Sequence, residues 1–475
     1  MEFFKKNRDK EAVWLIIIMM VFQVSLHKVL AGIIPAFNVS YNPPWLCALY
    51  MLIMVAVYVL VLTPRIWNYT KSKGEWSADS KSEARAEGKN KWCAGGKDEC
   101  SADGNGAMED SACFGLPEAI RRIIVKYKYL CIALAILLLA IISVDIVTIV
   151  RGQLRISNIL THNLDYFYAF LALPLAILLV DGSWKIESMV KIMIILTVLS
   201  GLMRFGVSLY YGFSGNEILC ISRESSIEGW IRNDRLRMVA PCFTVLLMPI
   251  CVYFAVKSKS LTDRLIYGVG FLFNLFYIYY VWQSRACLIY TIFAVGVIVM
   301  FWPASRKITR IKWCAALGAV ILFLICGGMR IILDQFSTSE TSKYFMENKG
   351  HYNVYKCFWA KYAASPIFGD GLTETLAEWF PNGRALWLSD GGFLYSIVPM
   401  GCLMIVFFVF VLVRAVLIYV KNVRISDKAV LAFGMTAMVY ACGVSIDCFM
   451  TGIAFSVPFY LAIVEYVAKS EDCHG

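Results

Sequence analysis

The sequence predicts an all-α, polytopic membrane protein with about twelve transmembrane helices. Hydrophobic residues make up 59% of the 475 positions, the mean hydropathy is +0.65, and only 17% of the residues are charged. A soluble domain has less apolar sequence than this. Apolar runs of about 20 residues, the length that crosses a hydrocarbon core of roughly 30 Å, recur between charged or Pro/Gly-containing breaks. We therefore expect the whole chain to be helical.

The apolar runs place the twelve expected spans along the chain, with boundaries set by the flanking charged residues. They lie near 13–36, 44–63, 129–150, 160–180, 188–211, 238–256, 264–282, 286–303, 312–329, 392–413, 429–447 and 449–467.

Lysine and arginine residues predict the orientation, because short cytoplasmic loops are enriched in them. Most of the 45 fall on the cytoplasmic side if both termini are cytoplasmic. The net charge of +11 then belongs mainly to the face where anionic lipid attracts it. We therefore expect a lipid bilayer as the partner of this charge, and no nucleic acid.

Five segments follow from this topology. They are 1–63 with the first two spans, the cytoplasmic loop 64–128, spans three to nine in 129–329, a large extracytoplasmic loop at 330–391, and 392–475 with the last three spans and the C-terminal tail. The cytoplasmic loop contains a Gly/Ser/Asp/Lys-rich insert that we expect to be disordered. The extracytoplasmic loop is rich in aromatic and apolar residues, so we expect short helices there and a functional role.

An arginine stands between the seventh and eighth spans, where the sequence reads "QSRACLIYTIFAVGVIVM". The topology puts Arg285 at the outward end of both spans, level with the large loop. An ionisable group at this depth is costly and suggests a functional site. The alternative is an arginine whose head reaches the interface only to stay hydrated.

Further arginines are expected on the same side of the membrane. Arg204 lies inside the fifth span, and Arg232, Arg235 and Arg237 precede the sixth in "RNDRLRM". A guanidinium stays charged at any working pH and presents a fork of donors that matches phosphate oxygens. Several of them outside a membrane predict a site for a diphosphate, and a lipid-linked diphosphate fits this location.

The large loop contains an aromatic stripe in "HYNVYKCFWAKYAASPIFGDGL". Tyr355 and Trp359 belong to a series spaced by three and four residues, which predicts one face of an amphipathic helix. Such a stripe is typical of a helix anchored among lipid headgroups. It would equally suit a helix that covers a cavity and presents its rings to a sugar. His351 opens the same segment.

Several of these segments resemble the O-antigen ligase and polymerase superfamily. "QSRACLIYTIFAVGVIVM" is similar to its helix that begins Ser-Arg-(Gly/Ala), and "NVYKCFWAKYAASPIFGDGL" is similar to its R-x-x-x-W…P-x-x-G-x-G segment. "LSDGGFLYSIVPMGCLMIVFFVFVLV" resembles the segment that closes the large loop, and "RLRMVAP" resembles the basic turn before a span. The likeness covers about residues 200–420.

The resemblance implies a GT-C-type membrane glycosyltransferase in the bacterial cytoplasmic membrane, with its active site facing outward. Its substrate would be an undecaprenyl-diphosphate-linked oligosaccharide, with no cofactor and no metal, and its partners a flippase and a chain-length regulator. We favour a repeat-unit polymerase over a ligase, because Asp390-Gly391 occupies the position of the ligase His-Asn. The sequence departs from the family in its cytoplasmic insert and in Lys356, where the motif often has Arg.

The chemistry assigns a role to each candidate. A glycan diphosphate already carries a good leaving group, so the catalyst must position the acceptor hydroxyl and stabilise the charge on the departing diphosphate. Arg285 and Arg237 are our candidates for that charge, with Arg204 and Arg235 assisting. Asp390 is the first candidate for a general base and His351 the second. The alternative for Asp390 is a structural role as a helix N-cap, because "SDGGF" directly precedes the tenth expected span.

A secondary transporter, such as a flippase for lipid-linked glycan, is the main alternative. Twelve spans with cytoplasmic termini are common among such proteins, which are usually built from internal repeats. The two halves of this sequence show no similarity to each other, and the large loop lies off-centre. Both points favour the enzyme.

Overall fold

The computed structural model describes residues 2–23, 47–67, 118, 120–154, 156–214, 229–232, 235–303, 308, 311–312, 350–373, 377–379, 385–422, 426–450 and 453–472. The expected disordered insert at 70–115 and most of the expected ninth span lie outside the described residues.

Helices form most of the described chain. They are α1 (Glu2–Gln23), α2 (Cys47–Trp67), α3 (Lys128–Arg151), α4 (Ile156–Phe167), α5 (Ala172–Val180), α6 (Ile186–Ser214), α7 (Thr244–Lys257), α8 (Leu261–Phe276), α9 (Arg285–Phe301), α10 (Gly350–Ala364), α11 (Leu394–Met400), α12 (Cys402–Asn422), α13 (Lys428–Cys442) and α14 (Val457–Asp472). Serine side chains cap two of them: Ser260 Oγ accepts a hydrogen bond from Asp263 N at 3.5 Å, and Ser284 Oγ one from Cys287 N at 3.4 Å.

Six helical stretches among the described residues are long and apolar enough to cross a membrane. They are Cys47–Trp67, Lys128–Arg151, Asn158–Val180, Ile186–Tyr210, Leu261–Val281 and Cys402–Asn422. Three shorter helices, α7, the part of α9 from Ala286, and α13, are also apolar. The protein is therefore a helical membrane protein, as the composition predicts. Twelve spans remain an expectation.

The stretch Asn158–Val180 is the core of the bundle. Within its most apolar window 78% of the residues are buried, against 33–44% for the other five. It joins α4 to α5 through a 3₁₀ helix at Tyr168–Leu171, and α5 packs along α14. Helices such as α3 instead expose Leu139, Ile142 and Ile146, which fits contact with lipid tails.

Two short β-hairpins interrupt the helical pattern and correct the expectation that the whole chain is helical. Strand β1 (Gly229–Arg232) pairs antiparallel with β2 (Arg235–Met238), and β3 (Ala377–Trp379) pairs with β4 (Ala385–Trp387). Both lie in segments expected to face outward. Each strand is only three or four residues long, which is too short for strand periodicity to be recognised in the sequence.

The expected span 392–413 is broken at Gly401. Helix α11 contains Pro399 and ends at Met400, Gly401 takes φ 69°, and the long helix α12 begins at Cys402. The continuous apolar helix therefore runs Cys402–Asn422, several residues later than hydropathy places it. Proline cannot donate a backbone hydrogen bond, and a glycine with positive φ ends a helix at little cost.

The turn after α10 satisfies the backbone groups that this break leaves unpaired. Asp370 N donates to Val398 O at 2.8 Å, Gly371 N donates to Pro399 O at 3.2 Å, and Cys402 N donates to Ile367 O at 3.3 Å. Gly369 and Gly371 have φ values of 78° and 86°, so "FGDGL" is a turn, as its glycines indicate. This loop segment is thus docked onto a broken helix.

Ion pairs join the ends of neighbouring helices. Arg65 at the end of α2 binds Asp9 of α1 at 2.8 Å and Asp181, which follows α5, at 2.9 Å. Lys257 and Asp427 pair at 2.8 Å, which joins the end of α7 to the start of α13. Because Arg65 and Asp9 are largely shielded from water, removal of either partner would leave a shielded charge unpaired, which is strongly destabilising.

A glycine comparison tests whether the docked turn holds the broken helix. A Cβ at Gly369 would lie 2.0 Å from the Pro399 carbonyl oxygen, whereas a Cβ at Gly152, with φ 63°, meets nothing within 4 Å. We expect Gly152→Ala to lower the free energy of unfolding by about 1–2 kcal/mol, the cost of the left-handed conformation. Gly369→Ala should cost clearly more, because a backbone clash adds to the same strain. Thermal unfolding of both variants in detergent measures this, and equal losses would contradict the proposed packing.

Candidate active site

The connection between α8 and α9 explains how two apolar helices meet with almost no loop. Helix α8 continues into a π-helix at Tyr277–Val281, and Trp282, Gln283 and Ser284 then lead directly into Arg285. Trp282 N donates to Tyr277 O at 2.8 Å, and Ser284 N donates to Ile278 O at 3.1 Å. Single π-helical turns occur often at functional sites. Arg285 is thus the first residue of α9, and its side chain lies outside the described part of the structure.

Gln283 marks this connection as strained. Its φ is 51°, and it is the only non-glycine residue with a positive φ in the described ranges. A glutamine in this conformation costs about 1–2 kcal/mol, which the surrounding contacts must offset. Such residues cluster at functional sites. The strain therefore supports, independently of charge, the prediction that the start of α9 is functional.

Two of the predicted arginines bind backbone carbonyls, and one of them contacts this connection directly. Arg237 Nε donates to Trp282 O, and Arg204 Nη1 donates to Val239 O. Arg204 is only 1% exposed, so it lies beneath β2 and away from water. Ser208 Oγ donates to Leu236 O at 2.7 Å and holds the same strand against α6. Arg204 is therefore a positioning residue in this structure, while the partly exposed Arg237 reaches the turn itself.

The other two arginines of the basic cluster lie in the hairpin next to this turn. Arg232 ends β1 and is the register partner of Arg235, which begins β2. Their side chains lie outside the described part of the structure. The hairpin thus brings Arg232, Arg235 and Arg237 onto one short ribbon, and Arg237 contacts the turn that precedes Arg285.

A second turn, Gly443–Ile446 after α13, joins three distant parts of the chain. Tyr290 of α9 donates to Ser445 Oγ at 3.2 Å, Tyr355 of α10 donates to Val444 O, and Phe393 N donates to Gly443 O at 2.8 Å. We call this segment the hub turn. It connects the helix that Arg285 begins, the aromatic helix of the large loop, and the segment just after Asp390.

Asp390 lies in a 3₁₀ helix, Leu388–Gly391, which precedes α11. The N-cap residue of α11 is Phe393, which makes no side-chain cap bond, so the interpretation of Asp390 as a helix cap is wrong. Gly392, with φ 56°, turns the chain between the two helices at this point. His351 lies in the first turn of α10. Neither the Asp390 nor the His351 side chain is among the described ones.

The aromatic side chains of α10 fall into two groups, one packed in a small cluster and one exposed. Phe358 is buried, and Tyr355 and Tyr362 pack against the same small cluster, with Leu388 and Leu394. Trp359 is 57% exposed, and its ring centroid lies 5.2 Å from that of Tyr362. Burial raises the pKa of the Tyr355 phenol, so this side chain stays protonated and can donate to Val444 O. Tyr355 therefore docks the helix, whereas Trp359 points away from the cluster.

Comparison with known proteins adds nothing to this geometry. No protein-family model and no curated protein matches the chain. Within the described ranges, no three His, Cys, Asp or Glu side chains lie close enough together to hold a metal ion.

Sequence reasoning singled out Tyr355 but missed its contact with the hub turn, and it missed Tyr290 and Ser445 altogether. Tyr290 and Ser445 are 155 positions apart, and Tyr355 and Val444 are 89 apart. Tyr290 resembles an ordinary interfacial aromatic residue in the sequence, whereas the spacing of the aromatic stripe marks Tyr355. Asp447, next to the hub turn, is fully buried and accepts hydrogen bonds from Phe449 N at 2.8 Å and Ser396 N at 3.2 Å. In the sequence, the signal for Asp447 is a carboxylate among apolar residues.

Removal of the Tyr355 hydroxyl tests whether the hub turn holds α10. We expect Tyr355→Phe to lower the free energy of unfolding by about 1 kcal/mol, the usual net contribution of one hydrogen bond, and more if Val444 O stays unpaired. Tyr362→Phe is the matched control, because Tyr362 packs on the same cluster and its hydroxyl has no described hydrogen bond. Thermal unfolding in detergent should show a lower stability for Tyr355→Phe than for Tyr362→Phe. Equal stability of the two variants would mean that the Tyr355 hydroxyl does not hold α10 on the hub turn.

Proposed function

We propose that this protein polymerises undecaprenyl-diphosphate-linked oligosaccharide repeat units into a surface polysaccharide, at the outer face of the bacterial cytoplasmic membrane. The observation that carries the proposal is the hub turn. Three segments that resemble the O-antigen ligase and polymerase superfamily lie far apart in the sequence, and each supplies a hydrogen bond to residues 443–445. Segments that serve one reaction are expected to converge in this way. The fourth segment that resembles the superfamily contains Arg237, which donates a hydrogen bond to Trp282 O just before α9.

The proposed topology has twelve spans, cytoplasmic termini and a large extracytoplasmic loop at 330–391. What supports it is the pairing of charges among the described residues. The ion pairs Arg65–Asp181, Lys126–Asp181 and Lys257–Asp427 each join two positions that the topology assigns to the cytoplasmic side. Lys191–Asp263 and Arg414–Glu465 each join such a position to the cytoplasmic end of an expected span. Arg151–Asp370 and Lys361–Asp370 each join two positions assigned to the outside. A wrong alternation of spans would pair charges across the membrane.

In the proposed reaction, a hydroxyl oxygen of the acceptor glycan attacks the anomeric carbon of the donor glycan. The new glycosidic bond forms as the bond from that carbon to the diphosphate breaks, and undecaprenyl diphosphate leaves with the bonding electrons. Arg285 and Arg237 stabilise the negative charge that develops on the leaving oxygen. Asp390 accepts the proton of the attacking hydroxyl, with His351 as the second candidate.

The remaining candidates have supporting roles in this proposal. Arg204 positions β2 from beneath, and the hairpin residues Arg232 and Arg235 help to hold the diphosphate. Tyr355 anchors the loop helix above the site. Trp359 is exposed enough to meet either the glycan or the headgroup region. The protein requires only the lipid-linked glycan and the bilayer in this scheme, with a flippase and a chain-length regulator as its partners in the cell.

A transporter is the second candidate, because one observation favours it. The break between α11 and α12 at Gly401 is a discontinuous helix, a feature that transporters use at their binding sites. Here, however, the backbone groups at the break bind Ile367 and the turn at 370–371, so they are occupied by the protein itself. A glycan flippase would move lipid-linked glycan across proteoliposomes without changing its length.

Site-directed labelling tests the topology first. Lys356 of α10 and Lys259, between α7 and α8, are both exposed and are assigned to opposite sides. We expect Lys356→Cys to react with a membrane-impermeant maleimide in intact cells, and Lys259→Cys to react only after permeabilisation. Peptide mass spectrometry distinguishes the new thiols from the native cysteines. Labelling of both positions from outside would rule out the proposed alternation of spans.

Removal of the Arg285 guanidinium tests the proposed chemistry. Purified protein in nanodiscs should convert undecaprenyl-diphosphate-linked oligosaccharide into a ladder spaced by one repeat unit, with release of undecaprenyl diphosphate. We expect Arg285→Ala to lower the rate at least 100-fold, as loss of one charge-stabilising donor does elsewhere, and Asp390→Ala to abolish the ladder. Arg285→Lys should rescue poorly, because a point charge replaces a bidentate fork.

The control for this experiment is Arg264→Ala. Arg264 likewise lies near the start of an apolar helix. It is exposed, lies on the proposed cytoplasmic side and donates to Ser258 O at 2.7 Å. It should leave the ladder unchanged. A normal ladder from Arg285→Ala would mean that this arginine only keeps its charge hydrated, and a single addition in place of a ladder would indicate a ligase.

A further inference from the structure

Two cysteines meet where α9 begins and α13 ends. Cys287 is the third residue of α9, and Cys442 is the last residue of α13, immediately before the hub turn. Both belong to one buried apolar cluster, in which Cys287 is 0% and Cys442 4% exposed. Their thiols are hydrogen-bonded to each other. The proposed reaction assigns no role to this pair.

A second contact between the same two segments runs beside the cysteine pair. Tyr290 lies three residues after Cys287, on the same face of α9, and donates to Ser445 Oγ at 3.2 Å. Ser445 lies three residues after Cys442, and its amide donates to Cys442 O at 2.9 Å. Cysteine thus meets cysteine, and tyrosine meets serine about one helical turn further along α9. The packing of α9 on the hub turn therefore brings the two sulfur atoms together.

The backbone on each side of the pair is also held. Cys287 N donates to Ser284 Oγ at 3.4 Å, at the cap of α9. Ile446 N donates to Cys442 O at 2.7 Å, within the hub turn. A disulfide forms only where two cysteine side chains point at each other, because the geometry of the bond is specific. Two thiols that already hydrogen-bond to each other meet this condition.

A third cysteine near the pair is engaged with a carboxylate. Cys448 lies just beyond the hub turn, and its thiol donates a hydrogen bond to the Asp447 side chain. The same carboxylate accepts a hydrogen bond from Ser396 N of α11 at 3.2 Å. Cys448 is therefore held toward Asp447, and Cys442 faces Cys287.

We propose that Cys287 and Cys442 form a disulfide when a small oxidant such as hydrogen peroxide reaches them, and that this bond ties the first turn of α9 to the hub turn. The near-complete burial of both thiols restricts the reaction to a small oxidant. The inference goes beyond the proposed function, and only the compartment rests on it. The proposed topology places both residues at the outward ends of their spans, on the side of the membrane where disulfides form and persist.

The proposed oxidation takes two steps. The Cys442 sulfur, the more exposed of the two, attacks one peroxide oxygen, the O–O bond breaks, and a sulfenic acid and one water molecule form. The Cys287 sulfur then attacks the Cys442 sulfur, the S–O bond breaks, and a second water molecule leaves. Each water carries the proton of one thiol, and the two electrons lost by the thiols reduce the peroxide. Because the second step is intramolecular, the pair reacts in preference to isolated thiols.

Peptide mass spectrometry tests this proposal on the full-length protein in nanodiscs, with no glycan present. The reduced protein is treated with excess hydrogen peroxide, the remaining thiols are blocked with N-ethylmaleimide, and the digest is analysed without reduction. We expect the peptides that contain Cys287 and Cys442 to be recovered as one cross-linked species, which a phosphine reductant separates. A cross-link from Cys442 to Cys448, separate sulfinic acids at Cys287 and Cys442, or two thiols that stay reduced would overturn the proposal.

Thermal unfolding tests whether the bond ties α9 to the hub turn. Oxidation should raise the unfolding temperature of the wild-type protein by about 5 °C, because a cross-link between distant positions constrains the unfolded chain. Cys287→Ala should lose this shift, whereas Cys251→Ala, at a buried cysteine of α7, should keep it. Each variant is compared with its own reduced form, so a lower starting stability does not affect the result. An equal shift in both variants would assign it to other thiols and overturn the proposal.

The outcome is distinguishable from that of the polymerase experiment. A cross-link between Cys287 and Cys442 in a protein that makes no ladder would keep this oxidation site and reject the proposed function. A ladder from a protein in which both thiols stay reduced under excess peroxide would do the reverse.

Discussion

The rest of this structure depends on one constraint: inside a membrane, a backbone group that loses its helical partner must find another partner in the protein. Water is absent there, and each unsatisfied group costs several kcal/mol. The chain interrupts its helices near Gln283 and Gly401, and at both places nearby segments supply the missing bonds. Arg237 reaches Trp282 O, and the turn after α10 reaches Val398 O and Pro399 O. The interruptions therefore fix which loops lie against which helices, and this is how distant segments come to share one site.

The two interruptions have different consequences for chemistry. Near Gln283 the chain accepts a strained conformation in order to begin a helix with an arginine at its first position. Near Gly401 a proline and a glycine end a helix without strain, and the partner is the large loop. The hub turn Gly443–Ile446 connects the two regions through Tyr290 and Phe393. In the proposed reaction, the arginine that stabilises the leaving group and the carboxylate that accepts the hydroxyl proton therefore belong to separate elements that meet at the hub turn.

Hydropathy was sufficient to predict a helical membrane protein, because the signal of each apolar run is local to about twenty residues. It could not place the end of α11, since the break at Gly401 depends on two hydrogen bonds between residues far apart in the sequence. Cys402 N donates to Ile367 O, and Gly371 N donates to Pro399 O. Charge identified Arg285, but the π-helix and the conformation of Gln283 leave no mark in composition. A small cleft lined by His162, Lys361 and Tyr395 was missed for the same reason, because only the packing of α4, α10 and α11 brings these residues together.

The docking of the turn 365–371 on the break at Gly401 has a consequence for how this protein can be assembled and exchanged with others. Helix α12 begins with an amide that needs Ile367 O, so the loop and the span complete each other's hydrogen bonding. In the proposed topology, the entry into this span is finished during biogenesis only after the preceding loop has crossed the bilayer and folded. A chimaera that replaces the large loop by that of another protein must therefore carry residues 365–402 as one module, since a junction inside it would separate each donor from its acceptor.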